Sequence, residues 1–211
     1  MSELFDGPFY QYLRQSDPLG SANYHKHGSS STLFTDGGRL FRLTRQGCGH
    51  SFIASESSLG NPNVTRVLHD FGPVAPSDED VGEHYWLAEV EWLQDLDLLD
   101  PSTEALVALL GYLTDGEPQL EGSELEQFGR RCAALATSHE EFRGLLTTLA
   151  RMAEFALHHQ AMADIKPDNL MLRPNTGEYV LADPICDHYF PLNDAQLGIM
   201  EAIKSRVHDQ K

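Results

Sequence analysis

The chain has 211 residues, 41% of them hydrophobic, with a formal net charge of −17 and a pI near 4.8. That length suits one domain, or one domain with two small lobes, and the apolar content suits a packed core. The acidic balance disfavours nucleic acid and anionic lipid as partners and favours a protein with a basic surface. Cys48, Cys132 and Cys186 form neither a metal-type pair nor an evident disulfide set, which reads as a reduced, cytoplasmic setting. The opening MSELFDGPFY has no basic stretch and no apolar core, so a signal peptide is not expected. No apolar run reaches the roughly 18 residues that span a bilayer.

Residues 1–23 read as a helical or irregular lead-in. Short strands follow from Tyr24: STLF and RLFRLT flank TDGG, whose Asp-Gly is a strong hairpin signal. GHSFIASESSL reads as a short helix. VTRVLHDFG and HYWLAEVEW read as two more strands, joined by the polar loop PVAPSDEDVGE. The second half turns helical. Asp100 caps a helix with Pro101 at its first position, SELEQFGRRCAALA forms another, and Ser138 with Glu141 predicts a capping box before a third. On that third helix Phe142, Leu145, Leu146, Leu149, Met152 and Phe155 share one face, which reads as core. Two short strands around the turn RPNTG come next, and a last helix begins near Asn193 with Leu197, Met200, Ile203 and Val207 apolar. The pattern predicts an α+β chain: a strand-rich lobe over residues 1–93, a helical lobe over 94–211, and a site in the crevice between them.

The segment DIKPDN, followed by LAD one hairpin later, carries the chemistry. Asn169 and Asp183, brought together by that hairpin, are hard oxygen donors suited to Mg²⁺. Asp164 stands free to accept a hydroxyl proton. Lys166, one of only four lysines, is placed to neutralise a phosphate in transit.

DIKPDN resembles the catalytic loop H-R-D-x-K-x-x-N of eukaryotic-type protein kinases, and LAD followed by Pro184 takes the place of their D-F-G. NPNVTRVLHDFG is similar to the kinase stretch entering the fourth strand. YWLAEVEWLQDLDLL is similar to the strand and hinge that hold adenine, with Glu89, Val90 and Glu91 at the hinge. HGSSSTLF resembles a reduced glycine-rich loop, with Gly28 kept and Ser29 where a further glycine would stand. RLFRLT sits where the family has V-A-I-K, and Glu56 falls fourteen residues after Arg42, where the ion-pair glutamate belongs. The matches run in family order from Tyr24 to Asp187. The Asp-Pro pair and the small size resemble serine/threonine kinases encoded by some bacteriophages.

The resemblance implies a two-lobe kinase-like fold with a truncated helical lobe. It implies ATP and Mg²⁺ as cofactors, and transfer of the γ-phosphate to a protein hydroxyl. Asp164 would be the base and Lys166 the phosphate partner. Asn169 and Asp183 would hold the metal, and Gly28, Ser29, Arg42, Glu56, Glu89 and Glu91 would line the nucleotide site. A phage or effector role would place it in a host cytoplasm, acting on host proteins.

The chain departs from the family pattern in four places. Arg42 replaces the strand-three lysine and keeps the charge with a different reach, while Lys26 lies beside the glycine-rich loop as an alternative cation. Met162 and Ala163 replace histidine and arginine, which argues against activation by a phosphorylated loop. His158 and His159 read as helix-end residues favoured by the dipole. Pro184 fixes a backbone angle where the family has phenylalanine, and only 28 residues follow Asp183, with nothing like A-P-E. These departures keep open a pseudokinase that binds a partner through its acidic surface. A small-molecule phosphotransferase or an adenylyl transferase also stays open. Between Val67 and Gly129 there are sixteen acids and no lysine or arginine, read either as a solvated surface or as a docking face for a basic protein.

Overall fold

A computed structural model describes residues 5–28, 30–187 and 189–209. The protein is mixed α+β, and its chain forms two compact units that are interleaved in sequence. The first comprises Met1–His50, Val67–Glu91 and His188–Lys211, the second Ser51–Arg66 and Trp92–Asp187.

The first unit is built on a five-stranded antiparallel sheet in the order β1-β2-β3-β5-β4. Its strands are β1 (Asn23–His27), β2 (Ser31–Asp36), β3 (Arg39–Thr44), β4 (Val67–Pro76) and β5 (His84–Val90). The β2–β3 turn is Gly37-Gly38, with φ of 56° and 90°. Two successive left-handed residues make the tight turn whose twist matches that of the strands, so glycine is needed at both. Alternation along the strands puts Phe34, Phe41, Leu43, Tyr85 and Leu87 on one face.

Two helices, α1 (Pro8–Arg14) and α6 (Asp194–His208), cover that face. Helix α6 begins just after Asn193, near where the sequence predicts, and Asn193 makes a full capping box to Gln196. Met200, Ile203 and Val207 are buried against the sheet, whereas Leu197, expected on the same stripe, is exposed. Helix α1 is held at its start by a distant side chain. Both carboxylate oxygens of Asp78 accept backbone N–H bonds at 2.8 Å, from Phe9 and Tyr10, and Oδ2 also accepts from the Tyr85 hydroxyl. Burial, then the neighbouring Asp78 charge, pushes the Tyr85 hydroxyl pKa up. Gly7 is needed here because a Cβ would meet Asp78 Cγ at 2.0 Å.

Helix α2 (Gly47–Ser58) starts in the first unit, where His50 Nε2 lies 2.9 Å from Asp70 Oδ1 of β4, and finishes in the second. The second unit is centred on α4 (Gly122–Leu135) and α5 (Arg143–His158), with α3 (Pro101–Leu113) against α4. Gly129 lets α4 approach α5 closely, since a Cβ there would lie 3.0 Å from Ala153. Asp100 caps α3 as expected, accepting from the Ser102 and Thr103 amides. The capping box expected from Ser138 and Glu141 does not form. Ser138 Oγ instead bonds back to Leu135 O at the end of α4, and residues Glu140–Phe142 make a 3-10 turn ahead of α5. The face of α5 carrying Leu145, Leu146, Leu149 and Met152 is core.

Five short strands complete this unit. β6 (Gln94–Asp95), β9 (Leu170–Leu172) and β10 (Tyr179–Leu181) form one sheet; β7 (Gln119–Leu120) and β8 (Ala163–Asp164) form a second. The NPNV stretch is stitched to β10 through Leu181 N to Asn63 O, Thr65 N to Leu181 O and Asn63 Nδ2 to Tyr179 O. None of the three cysteines is in a disulfide. Among the described residues no helix is long and apolar enough to cross a membrane.

The packing of α6 makes a direct prediction. Met200→Ala empties a fully buried site and lowers the unfolding free energy by about 2–5 kcal/mol. Leu197→Ala, on the same helix but exposed, changes it by less than about 0.5 kcal/mol. Urea denaturation of the two variants beside the wild type checks the contrast.

Candidate active site

The candidate site is assembled within the second unit by a loop whose backbone is fixed on both edges. After α5, Gln160 adopts φ of 55° and turns the chain out of the helix. Strand β8 then pairs with β7, Leu120 opposite Ala163 and Gln119 opposite Asp164, and Ile165 N bonds to Pro118 O at 2.7 Å. On the other edge Asp164 N bonds to Pro184 O at 2.9 Å, and Cys186 N to Met162 O at 3.0 Å. Pro184, which has no N–H to offer, serves here as an acceptor. Residues Pro167–Asn169 make one 3-10 turn into β9, and Ala182 N bonds to Asn169 O at 2.9 Å, setting Asp183 next to that contact.

Three of the expected residues meet directly. Lys166 Nζ lies 2.7 Å from Asp164 Oδ2. Asn169 Nδ2 donates to the same oxygen at 3.0 Å and to the Asp164 backbone carbonyl at 2.8 Å. Both partners use Oδ2. Asp164 Oδ1 is buried and has no hydrogen-bond partner among the described residues. Leaving a buried carboxylate oxygen without a donor is costly, so such an atom marks a place where a hydroxyl is well received. The hydrogen bond to Asp164, then its charge, raises the Lys166 pKa. The half-buried Cys186 thiol is pushed up to about 11 by burial first and the Asp164 charge second, with Asp183 adding in the same direction.

Other expected residues lie elsewhere. Arg42 is buried on the sheet of the first unit, on the face opposite α1 and α6, and its cross-strand neighbours are Leu33 and Ala88. Leu33, Leu40, Val67, Ala88 and Val90 make a small apolar cluster on that face. Glu89 is inside β5, and its carboxylate is held by Arg39 at 2.6 Å; that hydrogen bond is the main cause of its lowered pKa. Glu91 follows directly after β5. Gly28 is exposed at the β1–β2 turn and donates to Ser31 O. Ser29 lies outside the described residues. Lys26 is exposed on β1.

Glu56 has partners that sequence spacing did not suggest. Arg151 of α5 lies 2.7 Å from Oε1, Asn61 Nδ2 donates to Oε2 at 2.7 Å, and Asn61 in turn bonds Thr148 of α5. The only sequence signal was that Thr148 and Arg151 lie three apart, on one face of a helix. His159 packs on the Phe155 ring at 4.5 Å, and burial lowers its pKa, so it is a packed helix end more than a cation for the dipole.

Among the described residues no group of three or more His, Cys, Asp or Glu side chains could hold a metal by itself. The donor chemistry of the pair Asn169 and Asp183 nonetheless fits Mg²⁺. Asn169 uses its amide nitrogen on Asp164, which leaves its oxygen for a hard cation, and Mg²⁺ is commonly held by one or two such side chains plus substrate phosphates. No protein-family model matches the chain, and no curated protein matches it.

Two predictions follow from this geometry. Asn169→Ala removes both bonds to Asp164, one of them to a carboxylate, and lowers stability by about 1–3 kcal/mol in urea denaturation. An unchanged midpoint would mean the loop is held without that amide. Lys166 has a raised folded-state pKa, so its contribution is complete below the ordinary lysine value of about 10.4 and is lost as pH rises through the folded value. Wild type therefore loses more stability than Lys166→Met between about pH 10 and 12, read as the difference between their melting temperatures.

Proposed function

We propose that the chain is a minimal kinase-like phosphotransferase that moves the γ-phosphate of ATP to a serine or threonine hydroxyl of a protein. The supporting observation is Asp164: one carboxylate oxygen is engaged by Lys166 and Asn169, and the other is buried without a partner among the described residues. In this reading the acceptor hydroxyl bonds to Oδ1. Its oxygen attacks the γ-phosphorus, the bond from that phosphorus to the β–γ bridging oxygen breaks, and the hydroxyl proton passes to Asp164. Lys166, at hydrogen-bond distance from Asp164 and half-exposed, exchanges that contact for the transferred phosphoryl oxygens, whose charge it offsets. Asn169 positions Asp164, and Asn169 with Asp183 would hold Mg²⁺. A bound Mg²⁺ neutralises phosphate charge and orients the β- and γ-phosphates. Arg42, with Leu33 and Ala88 beside it, offers a cation next to an apolar face, the combination a nucleotide requires. In the same reading the backbone at the end of β5, near Glu89 and Glu91, contacts the base.

A pseudokinase is the second reading. It is favoured by the arginine at position 42 and by the engagement of Glu56 with Arg151 and Asn61. One experiment separates the two. The purified chain is incubated with Mg²⁺ and γ-labelled ATP, alone and with histone or casein as acceptor, and protein-bound label is counted. The phosphotransferase reading expects labelling that falls about 10²-fold or more in Asp164→Ala, the usual scale for a lost general base. Equal labelling by both proteins, or none by either, overturns it. A Mg²⁺-ATP thermal shift without labelling would support the pseudokinase with an intact nucleotide site.

A further inference from the structure

Helix α3 has two apolar sides, and the described residues cover only one of them. Leu106, Leu110 and Leu113 face inward and are buried. Ala105, Ala108, Gly111 and Tyr112 face outward and are exposed, and Tyr112 keeps 68% of its surface. A Cβ placed on Gly111 would meet nothing within 4 Å, so none of the described residues lies over the strip there. The turn leading into α3 adds Leu98 and Leu99, 60% and 92% exposed. Apolar residues all round a helix ordinarily mean that both sides are buried.

The sequence around this strip is predominantly acidic. From Trp92 to Gly129 there are nine acids and no lysine, arginine or histidine. Asp97 and Asp100 precede α3 and Glu104 is in its first turn; Asp115 and Glu117 follow its end. No basic residue stands in its last turn. Acids beyond a helix C-terminus face the negative end of the helix dipole, an arrangement that folding does not favour. Arg131 answers Asp115 at 2.7 Å and caps Leu113 O.

This charge selects the occupant. A second copy of the chain would bring like charge against like, and at least nine of its fifteen lysines and arginines are already paired with its own carboxylates. Nucleic acid and anionic membranes are repelled for the same reason. Small residues at Ala105, Ala108 and Gly111 suit the close approach of another helix, and Tyr112 is an exposed aromatic of the kind that anchors interfaces.

We propose that the outer face of α3 docks an amphipathic helical segment of a partner protein, apolar along one side and rich in lysine or arginine toward its ends. The apolar side lies on the strip from Ala105 to Tyr112, and the cations meet the acids before and after the helix. The proposal does not rest on phosphate transfer at Asp164.

The test uses the full chain and a fluorescein-labelled Leu/Lys peptide with a helical apolar face, followed by fluorescence anisotropy at 0.15 M salt. The control peptide has the same composition in an order that has no apolar face. Expected results are binding of the amphipathic peptide, at least tenfold weaker binding of the control, and at least tenfold loss with Ala108→Glu and with Tyr112→Ala. Ala108→Glu adds negative charge, so its loss cannot be electrostatic. Both changes are at exposed positions and leave the melting temperature unchanged. Glu201→Gln, a charge removal on α6, leaves affinity unchanged. The proposal is overturned by equal binding of the two peptides, by wild-type affinity in Ala108→Glu, or by no binding. Self-association abolished by Ala108→Glu, or binding to phosphatidylserine vesicles, would also overturn it by assigning the face to another occupant.

Discussion

The candidate site depends on the Asn169 side chain folding back onto Asp164. Its amide nitrogen reaches both the backbone carbonyl and one carboxylate oxygen of Asp164, so it fixes the loop and the side chain together. The loop can be held this way because its edges are already secured, by Gln119 and Pro118 on one side and by Pro184 and Ile185 on the other. With Oδ2 occupied by Lys166 and Asn169, the carboxylate has a single direction left in which to accept a proton. The site needs only a few residues because backbone pairing places each of them.

The first unit shows a similar economy. One carboxylate, Asp78, serves the amides at the start of α1 and the Tyr85 hydroxyl, and glycine at position 7 makes the space for it. The sheet face above this contact is closed by α6, which arrives from the far end of the chain. The opposite sheet face carries Arg42 among small apolar side chains.

Much of this was legible in local patterns. The TDGG hairpin, the Asp100 cap, the start of α6 near Asn193 and the 3.6-residue periodicity of α5 are dictated by neighbours a few residues away, and they appear where the sequence places them. The short spacing from Asp164 to Asn169 likewise implied one compact loop. Other features had no local signal. Strands β6, β7 and β8 are two residues long, too short for a period, and exist because a distant segment supplies their partners. Ser138 and Glu141 had the spacing of a capping box, but Ser138 found an acceptor at the end of the preceding helix. Glu89 was engaged by a cross-strand arginine, and Glu56 by an arginine nearly a hundred residues away.

The sequence by itself determined the mixed α+β character, the identity of most helices and hairpins, and the clustering of Asp164, Lys166 and Asn169, because each rests on contacts within a few residues. Tertiary structure decided which oxygen of Asp164 remains open, which cations answer Glu56 and Glu89, that α6 closes the sheet, and that the described residues leave one side of α3 uncovered. Those outcomes depend on pairings between residues far apart in the chain. Burial and hydrogen-bond satisfaction choose among such pairings only once the backbone has brought the candidates together.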